Sequence, residues 1–117
     1  MRKHGKKFTA VPVFLVRGFH HGAILVNTKA GIRTPKDLEG KRIGTGLYTQ
    51  TAAVWIRGHL QNDFGVDFSH VKWVQGAIEK PGPHGQPTTR PLLKPIDITE
   101  NESPYSLADL LARGEID

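Results

Sequence analysis

The sequence predicts an α/β domain, with a mainly parallel sheet flanked by helices, and three consecutive features predict it. A short β-prone run at residues 41–46 ends in glycines. Apolar residues then recur at helical spacing over residues 49–62, and Gly65 is placed to end that helix. Residues 66–76 alternate as a second strand would. A strand, a helix and a strand so spaced indicate a right-handed βαβ unit.

Less regular segments lie on both sides of this unit. Residues 8–16 are β-branched and aromatic but contain a proline, which predicts an edge strand or an extended entry into the fold. The apolar run resumes over residues 23–26, which predicts a further strand after the polar insert, and residues 27–31 predict a turn. Residues 80–98 are rich in proline and glycine, which predicts an extended loop with a short strand near residues 92–93.

Two further helices carry start and stop signals. Thr34 suits the N-cap and Pro35 the first position of a short helix that Gly40 ends. Residues 106–114 have the pattern of a capped amphipathic helix ending at glycine. Residues 115–117 then begin a pattern typical of a further strand, so we expect a fragment or a truncated reading frame.

Composition excludes several classes of protein. The chain has 117 residues and no cysteine, which rules out thiolate catalysis, iron–sulfur clusters and disulfides. Much of the net charge of +5 lies in the first seven residues, so we predict no nucleic-acid partner. No apolar run approaches the roughly 18 residues that a membrane span needs. The basic start lacks the apolar centre of a signal peptide, and we therefore predict a cytoplasmic protein without membrane contact.

The junction between the first strand and the long helix predicts an anion site. The first N–H groups of a helix lack intrahelical acceptors, and the helix dipole is positive there. A carboxylate or phosphate can therefore be held at this point, and open parallel sheets bind ligands beyond the carboxyl ends of their strands. The predicted substrate-binding residues at this junction are Tyr48, Thr49, Gln50 and Thr51.

Several motifs resemble known families. Residues 31–46 contain the pattern TPxDLxGKRIG and resemble the lobe entry of type 2 periplasmic-binding-protein-like folds. Further motifs together resemble the 4,5-dihydroxyphthalate decarboxylase family: PVF at 12–14 with RxFxH at 17–21, TAAVWIRG at 51–58, WVxG at 73–76, ExPG at 79–82 and GEID at 114–117. The resemblance divides the chain into a basic N-terminal tail at residues 1–10 and a partial periplasmic-binding-protein-like α/β domain at residues 11–117.

The resemblance implies a reaction and a ligand class. It implies non-oxidative loss of one carboxylate from an aromatic dicarboxylate, giving 3,4-dihydroxybenzoate and carbon dioxide without a cofactor. A non-catalytic protein of the same fold that binds a small carboxylate is the alternative. Because an incomplete sheet leaves an exposed edge, a homo-oligomer is also an expected form.

The reaction needs a carboxylate clamp and a proton donor, and the motifs offer candidates for both. Arg17 can bind a carboxylate through paired N–H groups. His21, or its neighbour His20, can deliver the proton to the ring. Phe19 and Glu79 are further predicted substrate-binding residues, with the Glu79 carboxylate accepting from a ring hydroxyl. Each also has an ordinary interpretation, as a polar loop residue or an interdomain ion pair.

Other residues that attract attention are predicted to be structural. Trp55 lies on a helix and Trp73 on a strand, which predicts core packing for both. Arg57 is predicted to be a solvated helix residue. His20 and His21 would point to opposite faces of a strand, and no HxH or HExxH pattern occurs, so we predict no metal site.

Overall fold

A three-stranded parallel sheet organises the structure, a computed structural model that describes residues 5, 9, 12, 13, 18–85 and 96–117. The elements are β1 at Arg42–Thr45, α1 at Thr51–Phe64, β2 at Lys72–Gln75, β3 at Ile98–Glu100 and α2 at Leu107–Arg113, with 3-10 helices at His21–Ala23 and Pro35–Leu38. The strand order is β1-β2-β3, and both pairs are parallel. The predicted βαβ unit is therefore confirmed.

The strand register aligns the carboxyl ends of the three strands. Thr45 pairs with Gln75, and Gln75 pairs with Glu100. Each of these residues is the last of its strand. Three polar side chains therefore form a row along the edge of the sheet where α1 begins.

Each face of the sheet has its own small core. Ile43 of β1 packs with Leu60 of α1, whereas Val74 of β2 packs with Leu107 of α2. Val74 pairs with Gly44, the residue that follows Ile43. Because successive residues of a strand point to opposite faces, α1 and α2 cover opposite faces of the sheet.

The helix ends follow the sequence signals. Gly65 and Gly114 both adopt the left-handed conformation, with φ of 64° and 75°, and so end α1 and α2 as predicted. Ser106 caps α2, because its hydroxyl accepts from the Asp109 N–H at 3.1 Å. The predicted start at Thr34 is confirmed by a capping box with Asp37, but the turn that follows is a 3-10 helix.

The strands differ from the sequence predictions at three places. The second strand covers only Lys72–Gln75, because the Asp67 carboxylate accepts from Ser69 and holds that segment in a turn. Residues 23–26 form no strand; Ala23 closes a 3-10 turn by donating to the His20 carbonyl at 3.0 Å. β3 was missed, because it lies at the end of the segment predicted as loop.

The predicted strand at residues 115–117 is represented by a single paired residue. The Asp117 N–H donates to the Arg42 carbonyl at 2.9 Å, and the Asp117 carbonyl accepts from the Asn27 N–H at 2.9 Å. Asp117 thus lies between β1 and residue 27. Most of residues 8–16 and the predicted strand near residues 92–93 lie outside the described residues. Neither α1 nor α2, nor another helix among the described residues, has the length and apolar character needed to cross a membrane.

Candidate functional site

Gln75 ties the loop before α1 to the carboxyl edge of the sheet. The Tyr48 N–H donates to Gln75 Oε1 at 2.8 Å, and Gln75 Nε2 donates to Glu100 Oε1 at 2.6 Å. Gln75 is only 8% exposed, and both bonds are partly buried. One buried amide therefore fixes the position of Tyr48 relative to β2 and β3.

The amino end of α1 is open. Gln50 is the N-cap residue, but its side chain makes no capping hydrogen bond. The first helical bond runs from the Val54 N–H to the Gln50 carbonyl at 3.0 Å. Among the described residues, the N–H groups of residues 51–53 have no acceptor. The helix start has the free donors and the positive dipole end that an anion site needs.

A histidine lies beside this helix start, and sequence reasoning missed it. A Cβ placed on Gly46 would lie 3.2 Å from ring atoms of His84 and 3.3 Å from Gln50 Oε1. A larger residue at position 46 would press on the His84 ring, which would have to move by a few tenths of an ångström. The signal available in the sequence was that His84 follows a strand of a parallel sheet, since segments after such strands gather at one edge.

Arg57 is not the solvated helix residue that the sequence predicted. Its guanidinium carbon lies 3.6 Å from the centre of the Tyr48 ring and 5.6 Å from that of Trp73. Tyr48 in turn meets Trp73 edge to face, with ring centres 5.1 Å apart. Arg57 leans back because helical side chains tilt toward the amino end, and the aromatic surface of Tyr48 receives it.

The same cluster corrects one tryptophan prediction and confirms the other. Trp73 is 5% exposed, as a core residue should be, whereas Trp55 is 60% exposed on the surface of α1. Leu60, on the same helix, is buried in the core. Trp55 was wrongly predicted because helical spacing alone did not indicate which side of α1 meets the sheet.

Two N–H donors in this cluster have no partner. Nη1 of Arg57 and Nε1 of Trp73 are both buried, and neither is hydrogen bonded among the described residues. Burial of the Arg57 guanidinium lowers its pKa, and the nearby Tyr48 opposes that shift. A buried donor without an acceptor is costly, and buried polar groups in native proteins usually have partners.

The structure places the predicted catalytic histidines away from the helix start. His20 and His21 lie in the 3-10 turn at the side of α1, where the His21 ring centre is 4.8 Å from that of His59. His59 in turn contacts Asp63 Oδ2 at 2.8 Å through Nδ1. Because His59 is eight residues after Thr51, this contact lies about 12 Å along the helix axis from its start. The catalytic role of His20 and His21 stays a prediction.

The remaining predicted site residues are scattered. Phe19 is 87% exposed, and its ring centre lies 5.8 Å from that of His21. Glu79 is exposed in the loop that the Ala77 N–H closes by donating to the Gly82 carbonyl at 2.8 Å. Arg17 lies outside the described residues. Within residues 18–85 and 96–117, no three residues of the types histidine, aspartate or glutamate gather closely enough to hold a metal ion.

An open groove adjoins both the helix start and the arginine cluster. It has a volume of about 780 Å³ and runs along β1, the edge strand, where residues 23–29 and parts of α1 and α2 line it. Its lining is mainly apolar, and the lining residues closest to the features described above are Thr45, Gly46, Gln50, Arg57 and Trp73. A volume of several hundred Å³ with a few polar groups is typical of sites for small molecules.

Comparison with known proteins supports the resemblance found in the motifs. The family model described as NMT1/THI5 like matches residues 2–81. A 4,5-dihydroxyphthalate decarboxylase of Comamonas testosteroni is 38% identical over 110 residues, covering 94% of this chain and 33% of the relative. One of Pseudomonas putida is 40% identical over 113 residues, covering 94% of this chain and 42% of the relative.

These matches confirm the predicted resemblance and the periplasmic-binding-protein-like fold. The chain spans between a third and about two fifths of the length of the curated relatives it matches, at 33% and 42%. The family model covers well over half of the chain, since it extends from residue 2 to residue 81. The chain therefore belongs to the NMT1/THI5-like family.

Proposed function

We propose that this chain provides the ligand site of a non-oxidative aromatic carboxy-lyase that acts on 4,5-dihydroxyphthalate. The observation that carries the proposal is the open amino end of α1, which lies beside a histidine at the carboxyl edge of the sheet. The two relatives that bear the decarboxylase name support the choice of ligand.

The open helix start supplies the first requirement, a place for a carboxylate. The free N–H groups of residues 51–53 point along the helix axis toward the edge of the sheet, where the dipole favours negative charge. The buried bond between Tyr48 and Gln75 holds the preceding loop in place, so these donors need little reorganisation to bind. One carboxylate of the ligand would be held there.

The second requirement is a proton for the ring carbon. A hydroxyl para to the carbon that bears the departing carboxylate supplies electron density, and that carbon takes the proton. The bond to the carboxylate then breaks, its electron pair restores the aromatic ring, and carbon dioxide leaves. His84 is positioned for the proton transfer, because its ring lies against Gly46 and next to Gln50 at the helix start.

Ring-proton NMR of 4,5-dihydroxyphthalate mixed with the purified chain tests the proposal. We expect new signals of 3,4-dihydroxybenzoate, and we expect His84→Gln to slow their appearance by about 100-fold or more while binding persists. His70→Gln is the matched control, because His70 is exposed in the turn before β2. His21→Gln distinguishes the two candidate donors, and Arg17→Ala is expected to abolish turnover while leaving the fold intact.

A non-catalytic carboxylate-binding protein is the second candidate, and one observation favours it. The predicted histidines His20 and His21 contact the far half of α1, so they add no proton donor at the helix start. For this candidate, the substrate signals broaden but no product forms. Substrate signals that neither broaden nor give product would contradict both candidates.

A further inference from the structure

We propose that Arg57 and Trp73 form a carboxylate subsite for a planar aromatic acid. The inference rests on the proposed function, because it names the residues that take the ligand carboxylate not held at the helix start. Arg57 lies six residues after Thr51, and its side chain leans back to the Tyr48 ring. The guanidinium is thus carried toward the same end of α1 as the open N–H groups.

The two unpartnered donors are the first observation that points to a ligand. Trp73 is 95% buried, and its Nε1 has no acceptor among the described residues. Nη1 of Arg57 is likewise buried without an acceptor among the described residues. The guanidinium carbon of Arg57 lies 5.6 Å from the centre of the Trp73 indole. Ring stacking and packing do not explain why two buried donors lack an acceptor. A ligand oxygen that accepts from both donors would explain it.

The charge of Arg57 is the second observation. Among the described residues it makes no ion pair, whereas the arginines of the pairs Arg42 with Asp117 and Arg113 with Glu115 do. A half-buried cation without a counter-ion loses hydration, and the face of the Tyr48 ring offsets only part of that loss. An anion bound there would supply that missing energy.

The chemistry of the cluster identifies the anion. A guanidinium presents parallel N–H groups that match the two oxygens of a carboxylate. The rings of Tyr48 and Phe68 both lie against the ring of Trp73, with centres 5.1 Å and 5.6 Å from it. Aromatic surfaces favour a flat ligand ring. Arg57 and Trp73 both line the open groove, so a ligand in the groove would lie next to both residues.

The indole N–H signal of Trp73 in a nitrogen–proton NMR spectrum tests this subsite. The chain has two tryptophans, and Trp55→Phe leaves Trp73 as the single indole reporter. Phthalate is the probe, because it carries two carboxylates but no ring hydroxyls, and dimethyl phthalate is the uncharged control. We expect the Trp73 indole signal to shift with phthalate and to stay unchanged with the diester.

Substitutions assign the effect to the two donors. Arg57→Gln should weaken phthalate binding by about tenfold or more, since it removes charge-assisted hydrogen bonds. Arg57→Lys should recover part of that loss, which a merely structural role would not predict. Trp73→Phe keeps an aromatic ring but removes the indole N–H, and should weaken phthalate binding by about three- to tenfold. Because this variant has no Trp73 indole signal, its affinity is measured from the shifts of the backbone amides of residues 51–53. Arg113→Gln is the matched control, because Arg113 also lies over a tyrosine.

The outcomes separate this inference from the proposed function. If phthalate shifts the amides of residues 51–53 while the indole signal stays still and Arg57→Gln binds as well as wild type, the subsite is wrong and the helix-start site stands. If neither the amides nor the indole respond at millimolar phthalate, both proposals fail. The subsite is supported if phthalate shifts the indole signal when Arg57 is present and no longer shifts it in Arg57→Gln.

Discussion

Two arginines of this chain lie over tyrosine rings, in very different surroundings. Arg57 is 3.6 Å from the centre of the Tyr48 ring, and Arg113 is 4.2 Å from that of Tyr105. Arg113 is exposed and also donates to Glu115 Oε1 at 2.6 Å. Arg57 is half-buried, and its Nη1 has no hydrogen-bond partner among the described residues. The same pair of residue types thus occurs once with a counter-ion and once without.

The comparison shows how surroundings decide what an arginine does. The hydrogen bond that Arg113 donates to the Glu115 carboxylate raises the pKa of Arg113, whereas burial lowers the pKa of Arg57. Arg113 also lies in the last turn of α2, where the helix dipole favours cations. For Arg57, only the face of the Tyr48 ring offsets the lost hydration. Proteins commonly accept such costs at binding sites, where a ligand supplies the missing partner.

The largest expected difference between the two stacks is in the free energy of unfolding. Trp73→Ala removes a buried ring of the first stack and should cost about 3–5 kcal/mol. Tyr105→Ala removes the ring of the second stack, which is 37% exposed, and should cost at most about 1 kcal/mol. Urea titrations followed by circular dichroism measure both. Equal losses would show that the Arg57 stack is no more embedded in the core than the surface stack.

Replacing each arginine with methionine should affect the free energy of unfolding differently at the two sites. Arg57→Met keeps the packing but removes an unpaired buried charge, so we expect stability equal to wild type or higher by about 1 kcal/mol. Arg113→Met breaks an ion pair and should lower stability. Urea midpoints of the two variants measure this, and a clear loss of stability in Arg57→Met would mean that the cation stabilises the fold.

A smaller effect is expected at the glycine that follows Arg57. Gly58 lies inside α1, and within the described part of the chain a Cβ placed there would meet no atom within 4 Å beyond its own stretch of helix. Gly58→Ala should therefore raise the free energy of unfolding by about 0.5–1 kcal/mol, because alanine loses less backbone entropy in a helix. A thermal melt measures the gain. If the variant is destabilised, α1 must sit closer to another part of the protein than these contacts show.

The smallest effect concerns acid, and it should be confined to the helix that carries Arg113. Hydrogen bonds from the Ser106 hydroxyl and N–H lower the pKa of Asp109, whereas the first turn of α1 contains no acidic residue. Because the folded pKa is lowered, the stabilisation from Asp109 is present above about pH 3.9 and is lost as the pH falls through the folded pKa. The stability difference between wild type and Asp109→Asn should therefore shrink between pH 5 and pH 2. A constant difference across that range would contradict the assignment.

Sequence reasoning was most successful where local chemistry decides the structure. The glycine that ends α1, the capping box at Ser106 and the parallel pairing around α1 depend on residues close in the chain or on one connection, and all were predicted. β3 was missed, because its three residues gain strand structure only from pairing with β2.

The site shows the same division. The start of α1 follows from strand and helix signals alone, and it lies two residues after the predicted start at residue 49. Arg57 and His84 were not predicted as site residues, because each acquires its place through tertiary contact, with Tyr48 in one case and Gly46 in the other. The periodicity of a single sequence does not show which of its cationic side chains will be half-buried.

Calorimetric titration of phthalate into Arg57→Gln and Arg113→Gln, side by side with wild type, tests the central claim most directly. Both variants lose one charge and one arginine–tyrosine stack, and Arg113→Gln also loses the ion pair with Glu115. We expect Arg57→Gln to bind at least about tenfold more weakly and Arg113→Gln to bind as wild type does. Equal affinities in the two variants would contradict it.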